Sequence, residues 1–195
     1  MRTAEIKRRT AETDIYVKLV LDGTGQADIN TGVGFFNHML TLFAKHGNFD
    51  LTVQCKGDTD VDAHHTVEDT ALCLGQAFRS AAGECRGICR YGDILLPMDE
   101  ALLLAAVDFG GRAYLNYRVE IKAGRVGTFD TELLEEFMQA FVRTAQINLH
   151  LKKLEGRNAH HILEGAFKAL ARALRKALAA DAAIGDALPT TKGVL

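Results

Sequence analysis

The sequence lacks a surplus of either charge, a CxxC pair and any long apolar run, and each absence removes a class of function. Lys plus Arg total 23 against 25 Asp plus Glu, for a net charge of -2. This balance leaves no electrostatic footprint for nucleic acid or an anionic membrane surface. The four cysteines, Cys55, Cys73, Cys85 and Cys89, have no metal-finger or redox spacing, and no apolar segment for export opens the chain. They read as free thiols, mostly in the core, of a protein in a reduced cytoplasm. The longest apolar stretch, Ala101 to Val107, falls far short of the roughly 20 residues that span a bilayer and fits a strand covered on both faces. What remains is a globular protein of 195 residues, long enough to bury a core without staples.

Periodicity divides the chain into two similar paragraphs. Residues 2–9 and 14–21 alternate as hairpin arms, with a turn signal at Asp22-Gly23. Phe35, Met39, Leu42 and Phe43 recur at helical spacing over 34–46, with Gly47 where a C′ residue belongs. FDLTVQCKG alternates as a half-buried strand, and a second helix runs over 64–83. After a glycine-containing connection at 83–92, ALLLAAVDFGG and the alternating Ala113 to Ile121 supply strands. A helix over 131–146 with Leu133, Leu134, Phe137, Phe141 and Ala145 on one face follows, then INLHLKK as a strand and a last helix to about Ala179. The expected fold is α+β, a duplication of two half-domains, 1–88 and 89–195, each a small mixed sheet with two helices on one face.

The duplication shows most clearly in two phrases, DAHHTVED (62–69) and NAHHILEG (158–165). Laid over one another, 62–81 and 158–177 match at 63, 64, 65, 68, 74, 77, 79 and 81, eight positions of twenty. On a helix, residues three or four apart share a face while neighbours point about 100° apart. One histidine of each doublet can therefore join its glutamate at a metal, and the other must look elsewhere. His38 on the first helix and His150 on the strand before the second phrase bring the inventory to six histidines and two glutamates. That number suits two sites of three imidazoles and one carboxylate, a donor set for zinc, manganese, iron or nickel. A lone histidine near a helix start is more often a cap, and only the repetition argues for ligands. His46, beside Gly47, fits the dipole at a helix C-terminus instead and stays outside the metal set.

RRTAET near the N-terminus, FNHML (36–40), DAHHTVED, LHLKKLEGRNAHHILEGAFKALARALR (149–175) and LPTTKGVL (188–195) resemble imidazoleglycerol-phosphate dehydratase of histidine biosynthesis, in order along essentially the whole chain. The resemblance implies loss of water from D-erythro-imidazoleglycerol phosphate, two Mn²⁺ per active site, and a homo-oligomer of 24 subunits with sites at subunit interfaces. It places metal ligands at His38, His64, His65, Glu68, His150, His160, His161 and Glu164. Eliminating water with no carbonyl to take up charge makes the substrate's own imidazole the electron sink, which a Lewis acid on its nitrogens would assist. By the same resemblance Glu12 handles the departing hydroxyl and Glu164 abstracts the proton. Arg90, Arg112, Lys168, Thr190 and Lys192 match positions that bind phosphate, His46 lies in the pocket, and Asp99 contacts the ring or the groups behind it. Thr190 stands where the family more often has serine, and Leu42 where it often has glutamine, which removes any polar contact there.

Two rivals bring different expectations. A dinuclear hydrolase would use bridging carboxylates, and this ligand set is rich in histidine instead. A purely structural metal assembly would leave the basic residues near the site without a task.

Overall fold

The structure, a computed structural model, describes every residue of the chain except Val194, which belongs to the tail phrase and lies outside the described residues. The first half runs β1 (Thr3–Arg9), β2 (Thr13–Val20), β3 (Ala27–Asn30), α1 (Gly34–Gly47), β4 (Asp50–Gly57) and α2 (His64–Ala82). The second runs β5 (Tyr91–Met98), β6 (Ala101–Asp108), β7 (Tyr114–Arg118), a small β8 (Arg125–Val126) and β9 (Phe129–Asp130) ribbon, α3 (Leu133–Ala145), β10 (Asn148–Glu155) and α4 (Ala159–Ala177).

Two mixed sheets of four strands result, ordered β1-β2-β4-β3 and β5-β6-β10-β7. In each, a hairpin pairs antiparallel with the third strand, and a short edge strand lies parallel to that third strand. The α+β class and the duplicated order are therefore visible in the backbone itself.

Alternation sets which face each sheet buries. Ile15, Val17 and Leu19 of β2 and Leu51 and Val53 of β4 turn inward, as do Leu103, Ala105 and Val107 of β6 and Leu149 and Leu151 of β10. The expectation that β6 is covered on both faces is corrected: Leu102, Leu104 and Ala106 are only half-buried, because helices pack on one side of an antiparallel sheet and leave the other open.

The helices fill the space between the sheets, α2 packing against α3 and α1 against α4. Phenylalanines tie them together: Phe43 meets Phe78 edge-on at 5.7 Å, Phe78 meets Phe141 at 5.4 Å, and Phe137 meets Phe167 at 4.8 Å. Residues of both halves thus form one continuous core. Gly75 permits the close α2–α3 crossing, since a Cβ there would lie 2.3 Å from Thr144 Oγ1 and 2.5 Å from the Phe141 carbonyl.

α1 departs from expectation in two respects. Its buried stripe is Phe36, Met39, Leu40 and Phe43, while Phe35 and Leu42 stay half-buried. The left-handed C-cap is Asn48 at φ 60°, not Gly47; Gly47 is still helical and is small because a Cβ would strike the Phe49 ring.

Candidate active site

The opening residues of the two phrases both bond the first turn of their helices, Asn158 as the N-cap of α4 and Asp62 from one residue before Ala63, the N-cap of α2. Asp62 Oδ1 accepts the His64 backbone N–H at 2.7 Å. Asn158 Oδ1 accepts the N–H groups of His160 at 2.9 Å and His161 at 3.3 Å. Each satisfies an orphan donor at the helix start, where a histidine doublet occupies the first turn. The paired rings stand nearly perpendicular, 84° for His64 and His65 and 82° for His160 and His161.

One histidine of the second doublet enters a compact cluster. His38 of α1 with His160 and Glu164 of α4 form a group whose potential ligand atoms all lie within 4.8 Å of one another, the one such group among the described residues. Glu164 is buried, with Oε2 3.2 Å from His160 Nε2 and 3.5 Å from His38 Nε2, and with Oε1 2.5 Å from Lys168 Nζ. Burial alone would raise its carboxyl pKa, yet the Lys168 hydrogen bond and charge, then His160 and His38, hold it below the ordinary value. An ionised oxygen facing two imidazoles is a donor set that fits a borderline divalent cation. Phe35 packs edge-on to the His160 ring at 5.3 Å and limits its rotation.

The second histidine of each doublet is held by a carboxylate. His65 Nδ1 lies 2.9 Å from Asp58 Oδ2, and His161 Nδ1 lies 2.7 Å from Glu100 Oε2. Glu100 Oε1 also accepts the backbone N–H groups of Arg157 and Asn158; the His161 hydrogen bond first, then those of Asn158 and Arg157, pull its carboxyl down to about 2. A carboxylate on Nδ1 fixes the tautomer and leaves Nε2 as the outward donor atom, as in the outer shell of metal-bound histidines. In each case Nε2 faces a further acid on a hairpin connection: Glu12 Oε1 at 3.8 Å from His65, Asp99 Oδ2 at 3.6 Å from His161. Asp58 and Glu100 escaped sequence reasoning. The signal available was an acid beside each doublet's strand partner, and acids are too common for that to stand out.

The remaining expected ligands are not drawn into the cluster. Glu68 pairs with Arg143 of α3 at 3.2 Å. His150 alternates with buried Leu149 and Leu151, so its ring is on the outer face of the second sheet, 6.0 Å from the Tyr114 ring. The phosphate-binding candidates divide into two groups. Arg90, Arg112, Thr190 and Lys192 line one cavity of about 670 Å³. Arg90 is braced there at φ 66°, bonding Asp108 through Nε at 2.7 Å and Nη2 at 3.2 Å, and the Pro189 carbonyl through Nη1 at 2.9 Å. Lys168 lies with Glu164, and His46 lies near it: burial, then the charges of Lys168 and Arg172, lower the His46 pKa.

The model of the imidazoleglycerol-phosphate dehydratase family matches residues 31–174. The chain belongs to this family. The imidazoleglycerol-phosphate dehydratase of Methylorubrum extorquens is 56% identical over 195 residues, covering all of both chains, and that of Caldanaerobacter subterraneus is 55% identical over the same span. Among solved structures, the imidazoleglycerol-phosphate dehydratase of Staphylococcus aureus superposes with a TM-score of 0.84 at 38% identity, over 92% of this chain and 99% of that one. The enzyme of Pyrococcus furiosus gives 0.83 at 37%, over 97% and 100%. Family membership and the duplicated fold thus agree, and no helix of the described residues is long and apolar enough to cross a membrane.

Proposed function

We propose that the chain is a cytoplasmic, manganese-dependent imidazoleglycerol-phosphate dehydratase, a hydro-lyase that converts D-erythro-imidazoleglycerol phosphate to imidazoleacetol phosphate in histidine biosynthesis. The observation that carries this reading is the His38–His160–Glu164 cluster, set on the family's fold with a carboxylate-braced histidine beside it.

His38, His160 and Glu164 would hold one ion, and the full set with His64, His65, Glu68, His150 and His161 serves two Mn²⁺ per active site. When bound, the ions supply Lewis-acid polarisation of the substrate's imidazole nitrogens. The reading takes 1–88 and 89–195 as the two half-domain repeats, one phrase for each ion. Because His150 is on the outer sheet face while His160 is beside α1, a neighbouring copy completes each site, consistent with a homo-oligomer of 24 subunits.

Glu164, ionised between Lys168 and two imidazoles, is in the proton-accepting form and serves as the base. Glu12, on the hairpin loop over His65, handles the departing hydroxyl. Arg90, Arg112, Thr190 and Lys192, which line one cavity, grip the phosphate, while Lys168, His46 and Asp99 border the substrate at the ring end.

Turnover of imidazoleglycerol phosphate to the enolisable ketone tests the proposal, with chelated protein and with protein reloaded with Mn²⁺. Turnover restored by Mn²⁺ supports it. Absent turnover despite bound metal leaves a metal site and removes the substrate assignment.

A further inference from the structure

The roles assigned above leave one buried carboxylate without a task. Asp69 follows Glu68 in α2 and is 6% exposed. Its Oδ2 accepts the Thr13 hydroxyl at 2.6 Å, and its Oδ1 lies 3.1 Å from Arg8 Nη2, so both arms of the first hairpin hold it.

The direction of the next bond follows from counting hydrogens. Thr13 has one hydroxyl hydrogen and gives it to the carboxylate, which only accepts. In the 3.3 Å contact between the Thr10 and Thr13 hydroxyls, Thr10 is therefore the donor, its hydrogen shared with the Thr13 carbonyl at 3.5 Å. Thr10 Oγ1 in turn accepts the backbone N–H groups of Glu12 at 3.1 Å and of Thr13 at 3.0 Å. A chain of bonds thus runs from the Glu12 backbone through two hydroxyls to a charge fixed inside the protein. The loop has a second tie, from the Asp58 N–H to the Glu12 carbonyl at 3.1 Å.

Asp69 stands four residues after His65, so the two share a face of α2. His65 Nε2 meets Glu12 Oε1 at 3.8 Å on that face. One helical turn therefore carries both the ring that Glu12 faces and the carboxylate that anchors the loop bearing Glu12.

We infer that Asp69 is a positioning residue: through Thr13 and Thr10 it sets the height of the β1–β2 loop above His65 and so the place at which Glu12 meets the substrate. The inference rests on the reading that Glu12 takes part in turnover.

The test compares Asp69→Asn, Thr13→Val, Thr13→Ser, Glu12→Gln and the double variant Glu12→Gln/Asp69→Asn, by kcat, KM, bound manganese and circular dichroism. Displacing a reacting group by about an ångström costs up to about a hundredfold, so Asp69→Asn and Thr13→Val should lower kcat by about tenfold to a hundredfold. KM and metal content should stay near the parent's, and Thr13→Ser, which keeps the hydroxyl, should stay near it in kcat. In the Glu12→Gln background Asp69→Asn should add no further loss, which a general structural defect would not reproduce. Parental kcat in folded Asp69→Asn, or the same fractional loss in both backgrounds, overturns the inference while leaving the role of Glu12 intact. Should Asp69→Asn not fold, Thr13→Val against Thr13→Ser, in both backgrounds, decides it by the same criteria. Parental turnover in Glu12→Gln overturns the reading of Glu12 and this inference with it.

Discussion

Lys168 Nζ lies 2.5 Å from Glu164 Oε1, one turn along α4, while the other oxygen of the same carboxylate faces His160 and His38. The two oxygens are thereby divided, one to an ammonium that is always present and one to the position where the imidazole nitrogens converge. Both side chains are largely buried, so neither charge is well solvated without the other.

Replacing Lys168 with Met should therefore harm the metal-free protein most. Removing one partner of a buried pair costs roughly 3–5 kcal/mol by leaving an uncompensated charge. A bound divalent ion offsets part of that charge. Urea denaturation of chelated and Mn²⁺-loaded variants should show a smaller loss in the loaded form, and equal losses would count against a cation beside Glu164.

Glu100 tests the outer shell. With the carboxylate on His161 Nδ1 replaced by an amide, Glu100→Gln keeps the shape but loses the charge that orients the ring. Loss of such partners typically weakens metal binding by about 10–100-fold. Competition with a chelator should report a decrease of that size, while an unchanged affinity would make Glu100 a cap for residues 157 and 158 and nothing more.

The contrast between the two sheets shows what the sequence could and could not reveal. Strands with clean alternation, such as Thr13–Val20, and helices with a strong apolar stripe, such as Leu133–Ala145, were legible because burial on one face leaves its period in the residues. Tyr91–Met98 was not: the connection read over 83–92 took its first two residues and Asp93 and Pro97 interrupt the rest, yet an edge strand tolerates proline and its outer residues stay exposed. Ala27–Asn30 escaped because four mostly exposed residues carry no period. The histidine phrases pointed to a metal site, since repetition is rare by chance, and His160 and Glu164 of the second phrase lie with His38 in a group that could hold an ion. The hydrogen bonds that aim them are not written in helical or strand period: Asp58 reaches His65 across a loop of the intervening residues, and Glu100 reaches His161 over 61 positions.

The shared core predicts that the halves do not unfold independently. Phe137 touches Phe36 of the first half at 5.8 Å and Phe167 of the second at 4.8 Å, and it is fully buried. Phe137→Ala should destabilise the protein by about 3–5 kcal/mol, the usual range for a buried Phe truncation. Chelated protein melted by calorimetry should still give one transition at lower temperature. Two separated transitions would show that the interface between halves is weaker than its packing indicates.

Cys73 provides a test of packing that is independent of activity. It is buried in α2, and burial pushes its thiol up to about 11 despite the opposing charge of Arg8. Only about one part in a thousand is then thiolate at pH 8, and alkylation requires the thiolate. In native protein at pH 8, mass mapping after iodoacetamide should find Cys73 labelled far more slowly than half-buried Cys89. Raising the pH toward 11 increases the reactive fraction about tenfold per unit, so labelling of Cys73 should quicken with pH if the fold holds. Denaturation should remove the difference between the two, because the raised pKa belongs to the folded environment. Equal rates in the native state at pH 8 would mean that α2 opens to solvent, and α2 also carries His64, His65, Glu68 and Asp69.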